Sequence, residues 1–204
     1  MAARTARTTT HAAIRVVPAN EASWDDLQKI FGTRGFASRC RCQRYKIRDF
    51  CWSSVTDGER AERMHEQTGC GDPDSPTSGL VAYLDGEPVG WCAVEPRTAY
   101  ERLLYNRVPW TGRKEDRSDS GIWAVTCFFV RAGNRKRGVG RAMARATVDF
   151  ARERGAAAVE GYPMTVKEVL IGELHVGTEG MFAAAGYREV SRPGVRRVVM
   201  RIDF

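Results

Sequence analysis

Hydrophobic and polar positions alternate along this chain in two rhythms, and the places where the rhythm changes divide it into elements. Ile14 to Val17 is a short apolar strand stopped by Pro18. From Ser23, Trp24, Leu27, Ile30 and Phe31 recur at three- and four-residue spacing, which predicts a helix capped by Ser23 and ended by Gly32. Thr56, with Glu59 three residues later, predicts a capping box opening a polar helix to Gln67. Gly69 to Ser78 is dense in Gly, Pro, Asp and Ser and reads as a loop. Leu80–Leu84 and Val89–Val94 are β-rich runs around Asp85-Gly86, a hairpin signal, with Pro88 restricting pairing in the second strand. Thr98 to Tyr105 suits a short helix, and Asn106 to Ser120 is polar, charged and expected to be mobile. Arg34 to Asp49 shows no regular pattern.

The second half is more regular. Ile122 to Val130 is almost wholly apolar, β-branched and aromatic, the pattern of a strand covered on both faces. A basic turn follows, then a helix in which Val139, Met143, Ala146 and Phe150 share a face and which Gly155 ends. Ala157–Tyr162 reads as a strand stopped by Pro163, and Thr165–His175 is ambiguous. A short helix runs from Thr178 or Glu179 to Ala185, before Gly186. Tyr187–Val190 and Val195–Ile202 are the last strands. These elements predict an N-terminal tail over 1–13 and one domain over 14–204.

Length and composition fit that reading: 204 residues with 43% hydrophobic and 28% charged can bury a core without disulfides or metal. No apolar run approaches the roughly 20 residues of a membrane-spanning helix, and the first residues lack the apolar core of a secretory signal. A cytoplasmic protein with no membrane partner is the expectation. The six cysteines resemble no disulfide framework, so reduced thiols are expected. Cys40, Cys42 and Cys51 invite zinc, but a fourth ligand and a nearby His are missing, and no metal is expected. A net charge of +7 favours anionic ligands, and its densest cluster is Arg131, Arg135, Lys136, Arg137 and Arg141.

That cluster lies where a strand turns into a helix. The first turn of a helix offers amides without internal partners and the positive end of the macrodipole, which together bind phosphate. Gly138 and Gly140 would let a diphosphate approach the backbone. A Walker loop fails, because Val139 follows Gly138 where Lys-Ser/Thr is needed. A dinucleotide fingerprint fails at Met143.

Arg135-Lys136-Arg137-Gly138-Val139-Gly140 fits the Arg/Gln-x-x-Gly-x-Gly/Ala motif of the GNAT superfamily of N-acetyltransferases. Met181-Phe182-Ala183-Ala184-Ala185-Gly186-Tyr187 resembles that family's closing helix and the strand start behind it. The resemblance implies an α/β (α+β) GNAT fold: a mixed, mostly antiparallel sheet with a splayed parallel strand pair, flanked by helices. It also implies acetyl-CoA as cosubstrate, its pyrophosphate held by Arg135, Lys136, Arg137, Gly138, Val139, Gly140 and Arg141. Phe128, Phe129 and Val130 would line its pantetheine arm, with an amide near Phe128 polarising the thioester. Core packing is the plainer reading of those three residues.

The implied reaction is direct attack of a neutral amine on the thioester, which needs a proton acceptor. Two positions depart from the family. The place of its frequent glutamate base matches Ala124, and that of its frequent tyrosine acid matches Phe182. Glu160, Tyr162, Glu173 and His175 remain as catalytic candidates. Against each stands a structural reading: solvated charge for the glutamates, a packed ring for Tyr162, a surface imidazole for His175. The acceptor is expected from the Trp24–Trp52 and Tyr100–Ser120 regions, with Arg39 to Tyr45 and Trp52 either an acceptor wall or a solvated basic loop. An acetyltransferase acting on a small-molecule amine, as monomer or homodimer, is the first expectation. A protein or aminoacyl-tRNA acceptor and a non-catalytic acyl-CoA-binding module are the alternatives, and nucleic acid is disfavoured as a partner.

Overall fold

The computed structural model describes residues 13–166 and 171–204. The expected tail, apart from Ala13, and positions 167–170 of the ambiguous stretch lie outside the described residues. Seven strands form one mixed sheet in the order β1-β2-β3-β4-β5-β7-β6. They are β1 (Ile14–Pro18), β2 (Gly79–Leu84), β3 (Glu87–Pro96), β4 (Ile122–Val130), β5 (Ala158–Gly161), β6 (Arg188–Gly194) and β7 (Arg197–Asp203). Only β4 and β5 pair in parallel; the other pairs are antiparallel. The helices are α1 (Trp24–Phe31), α2 (Gly35–Cys40), α3 (Asp57–Thr68), α4 (Glu101–Tyr105), α5 (Val139–Glu153) and α6 (Glu179–Ala183).

Local chemistry sets most element ends. The Ser23 hydroxyl accepts from the Asp26 amide at 3.1 Å. Thr56 and Glu59 close the capping box in both directions, at 3.2 and 2.7 Å, a feature contributing about 1 kcal/mol. Asp85 and Gly86 hold φ of 53° and 85°, as a tight hairpin with both central residues left-handed requires. In β3, Pro88 pairs with Tyr83 and Gly90 with Ala82, so Val89 is bulged out, and the proline falls where the ladder is already interrupted.

Apolar side chains fill both faces of the sheet. On one, α5 lays Val139, Met143, Ala144 and Val148 against Leu80, Val94 and Val125. On the other, α1 packs Leu27, Ile30 and Phe31 against Val81, Trp91 and Ala93.

Two stretches differ from expectation. The segment Arg34 to Asp49 contains α2, a helix too short for a period to show. The expected mobility of Asn106 to Ser120 is not what the structure holds: the segment is tied to the sheet by ions. The β5 residue Glu160 is fully buried and accepts from Arg97 Nη1 at 3.1 Å, Arg113 Nη2 at 2.6 Å and the Tyr162 hydroxyl at 2.7 Å. Glu115 bridges Arg97, Arg113 and Arg201 at 2.9, 2.6 and 3.1 Å. Arg97 lies over the Trp110 ring at 4.5 Å. Burial alone works against ionising Glu115, but these guanidinium groups outweigh it and hold its carboxyl below the usual range.

Candidate active site

The site begins where the two parallel strands part. Ile122 to Val125 pair with Ala158 to Gly161, after which β5 ends and β4 runs on alone on that side as far as Val130. A ring stands where they part. Phe182, fully buried, lies where a Cβ on Gly161 would be, and meets Phe128 and Tyr187 edge-on at 5.7 and 4.9 Å. Phe182, at the position where the family often has a tyrosine acid, is thus a wedge.

A bulge re-aims the freed half of β4. Ala93 pairs with Cys127 but Val94 with Val125, leaving Thr126 as the extra residue. Alternation alone would put Phe128 on the same face as Ala124. The bulge instead sends Phe128 into the α5 core and turns Cys127 and Phe129 toward α1.

Beyond β4 the chain enters the turn to α5. Lys136 and Gly138 hold φ of 60° and 87°, and no side chain caps the fifteen-residue helix. The amides of Val139, Gly140 and Arg141 have no hydrogen-bond partner among the described residues. Arg135, Lys136, Arg137 and Arg141 are exposed around them. Gly138 is required for its backbone conformation. Gly140 serves packing: a Cβ there would approach Met181 Sδ to 2.9 Å, so it lets α6 lie against α5.

On the α1 side of the bulge lies a pocket that is partly open to solvent. Cys127, Phe128 and Phe129 form its floor, Phe31, Phe36 and Tyr45 its walls, and His175 reaches in from a 3-10 turn over Ile171–Val176. Ala37, Cys40, Cys42 and Arg44 complete the lining, so part of the Arg39–Tyr45 run is a pocket wall. Trp52 backs it from outside, edge-on to Phe36 at 5.1 Å. Cys42 and Cys127 approach to 2.9 Å between sulfurs. The hydrogen bond to Cys127 and burial push the Cys42 thiol well above its ordinary range. No group of metal-binding side chains occurs among the described residues.

The four catalytic candidates fall in different places. Glu160 and Tyr162 are locked in the buried ionic network, where burial and the neighbouring Glu160 hold the Tyr162 phenol protonated. Glu173 is at the surface, paired with Arg196 at 2.9 Å. Only His175 lines the pocket. Its Nδ1 lies 2.8 Å from the Gly172 carbonyl, and since a carbonyl only accepts, Nδ1 carries the proton. Nε2 is buried and has no partner among the described residues. Burial, reinforced by Arg44 and Arg197, lowers the imidazole from 6.5, so at neutral pH His175 is neutral and its Nε2 unprotonated.

One further carboxylate escaped sequence reasoning. Glu95 on β3 pairs directly with Ala124 in register, placing a carboxyl beside the position the resemblance left without one. Burial raises it, partly offset by Lys46, with which it forms an ion pair. Strand pairing, invisible in a single sequence, was the signal needed.

The sequence model of the acetyltransferase (GNAT) family matches residues 42–162, more than half of the chain. No curated protein matches the sequence. Among solved structures, the chain is similar to a GCN5-related N-acetyltransferase from Kribbella flavida, with TM-score 0.51 and 19% identity over 94% of this chain and 98% of that one. It is also similar to yncA of Salmonella typhimurium, solved with its cofactor acetyl-CoA, with TM-score 0.53 and 14% identity over 95% of this chain and 94% of that one. A ribosomal-protein-alanine N-acetyltransferase from Brucella melitensis gives TM-score 0.51 and 15% identity over 94% of this chain and 99% of that one. At such identities the likeness speaks for the fold.

Proposed function

We propose that this chain, which belongs to the acetyltransferase (GNAT) family, takes acetyl-CoA as donor and acetylates the primary amine of a small molecule by direct attack within a ternary complex. The observation that carries the reading is the single run of backbone from the pocket floor to the helix start. The unpaired edge of β4 connects His175 and the pocket to the amides of Val139, Gly140 and Arg141.

Acetyl-CoA supplies the activated thioester. The α5 amides and the exposed Arg135, Lys136, Arg137 and Arg141 suit its diphosphate. The free β4 edge, lined by Phe128, Phe129 and Val130, offers peptide groups to the pantetheine amides. In this reading an amide near Phe128 stabilises negative charge growing on the thioester oxygen. His175 Nε2 takes the proton from the attacking amine, and its Nδ1–H···O=C bond to Gly172 fixes the tautomer that makes this possible.

A small acceptor is favoured because the pocket is a walled recess beside the bulge rather than a surface groove. The test is release of free thiol from acetyl-CoA, followed by a thiol-reactive dye, across small amines, peptides and charged tRNA. Turnover with small amines is expected. Turnover only with peptides or charged tRNA would replace the acceptor assignment, and cofactor binding without any turnover would replace the enzyme assignment.

A further inference from the structure

We infer that the acceptor amine stands on an apolar, preferably aromatic, body that carries no second positive charge; the inference rests on the acetyltransfer reading above. Among the described residues, none that lines the pocket is acidic. Its ionisable liners besides thiols and a tyrosine are Arg44 and His175, and Arg44 is exposed at the rim with no ion pair among the described residues. A dication or polycation entering would lose water from each ammonium, find no carboxylate, and face the Arg44 guanidinium.

The rest of the lining is apolar. Phe31 and Phe129 stack nearly parallel, 5.7 Å apart and inclined by 11°. Phe36 stands at the mouth, 39% exposed. Such walls reward an apolar guest in proportion to the area it buries, and ring edges suit an aromatic one. A lining without a carboxylate among the described residues also fits the chemistry. An acidic wall would stabilise the ammonium and hold the amine in its unreactive form, whereas an apolar wall lowers the amine's own pKa and shares the work of deprotonation with His175.

The deciding experiment compares kcat/KM at saturating acetyl-CoA for butylamine, hexylamine, phenylethylamine and hexamethylenediamine. Two more buried methylenes should raise hexylamine over butylamine by roughly fifteenfold, at about fourfold per methylene. Hexamethylenediamine should fall at least tenfold below hexylamine, and Arg44→Glu should narrow that gap while leaving calorimetric CoA binding unchanged. Phe36→Ala should raise KM for phenylethylamine more than for butylamine. A flat dependence on chain length, or a diamine as good as hexylamine, overturns the inference and leaves the acetyltransfer reading standing. Thiol release with no amine at all overturns that reading instead. In that case calorimetry still decides the pocket's preference: phenylethylamine binding above hexamethylenediamine supports it, and equal or absent binding of the two sinks it.

Discussion

The ring of Phe182 occupies the volume that a side chain on Gly161 would need, at the point where β5 ends and β4 continues. Gly161→Ala therefore drives a methyl group into a fully buried ring. The expected loss is about 1–3 kcal/mol in urea unfolding. Phe182→Leu in the same chain should recover part of it, by giving the methyl room. Additive losses in the double variant would show that the two residues are not in conflict.

For His175, the rate and the stability shift the same way with pH. The folded imidazole titrates below the ordinary 6.5, so the unfolded chain binds the extra proton first as pH falls. Its contribution to stability is complete above 6.5 and is lost as pH falls through the folded value. Arg44 and Arg197 push the titration down and Glu173 pulls it up. The acid limb of kcat/KM should lie below 6.5, and His175→Gln should remove that limb and slow the reaction by about a hundred- to ten-thousand-fold. An unaltered limb in the variant would assign the base to another group, with Glu95 the first to examine.

Glu160 makes the opposite prediction. Glu160→Gln removes the charge that compensates Arg97 and Arg113 in a fully buried setting, which costs about 3–5 kcal/mol. Thermal melting should register the loss, while the surviving folded fraction keeps the wild-type pH–rate shape. A changed shape would return Glu160 to the chemistry.

Gly138→Asp combines a left-handed backbone position with a negative charge at the helix start. The backbone strain is about 1–2 kcal/mol, and Gly138→Ala isolates it. The additional charge should weaken CoA at least tenfold beyond Gly138→Ala in calorimetry. Equal affinities for the two variants would remove the diphosphate from this turn.

The thiols should separate by reactivity. Cys51 is exposed and hydrogen bonds from Ser53 lower its thiol, whereas burial raises Cys92 and Cys40, the latter to about 11. Limited alkylation at neutral pH, read by peptide mass, should mark Cys51 first. Early labelling of Cys92 or Cys40 would contradict this packing.

How much of this was legible in the sequence depended on how local the cause was. The strand–turn–helix around Gly138, the caps at Ser23 and Thr56 and the Asp85-Gly86 hairpin are written in neighbouring residues and were read correctly. The Thr126 bulge was not, because it depends on register against β3 and shows no mark of its own in Ile122–Val130. It moves Phe128 off the face that strict alternation assigns. The ionic network was hidden for a related reason: Arg97, Arg113, Glu115 and Glu160 are far apart in sequence, and each alone resembles an ordinary surface charge. Among the four catalytic candidates, sequence could not show that three were committed to ion pairs or packing. Only the folded chain brings His175 to the pocket.

The half-strand of β4 left bare beyond Gly161 has a colloidal side as well. Unsatisfied peptide groups along a sheet margin recruit any extended chain, a neighbouring molecule included. Whatever lies along that margin acts as a missing rung, so loading the protein with its donor should also delay self-association during storage.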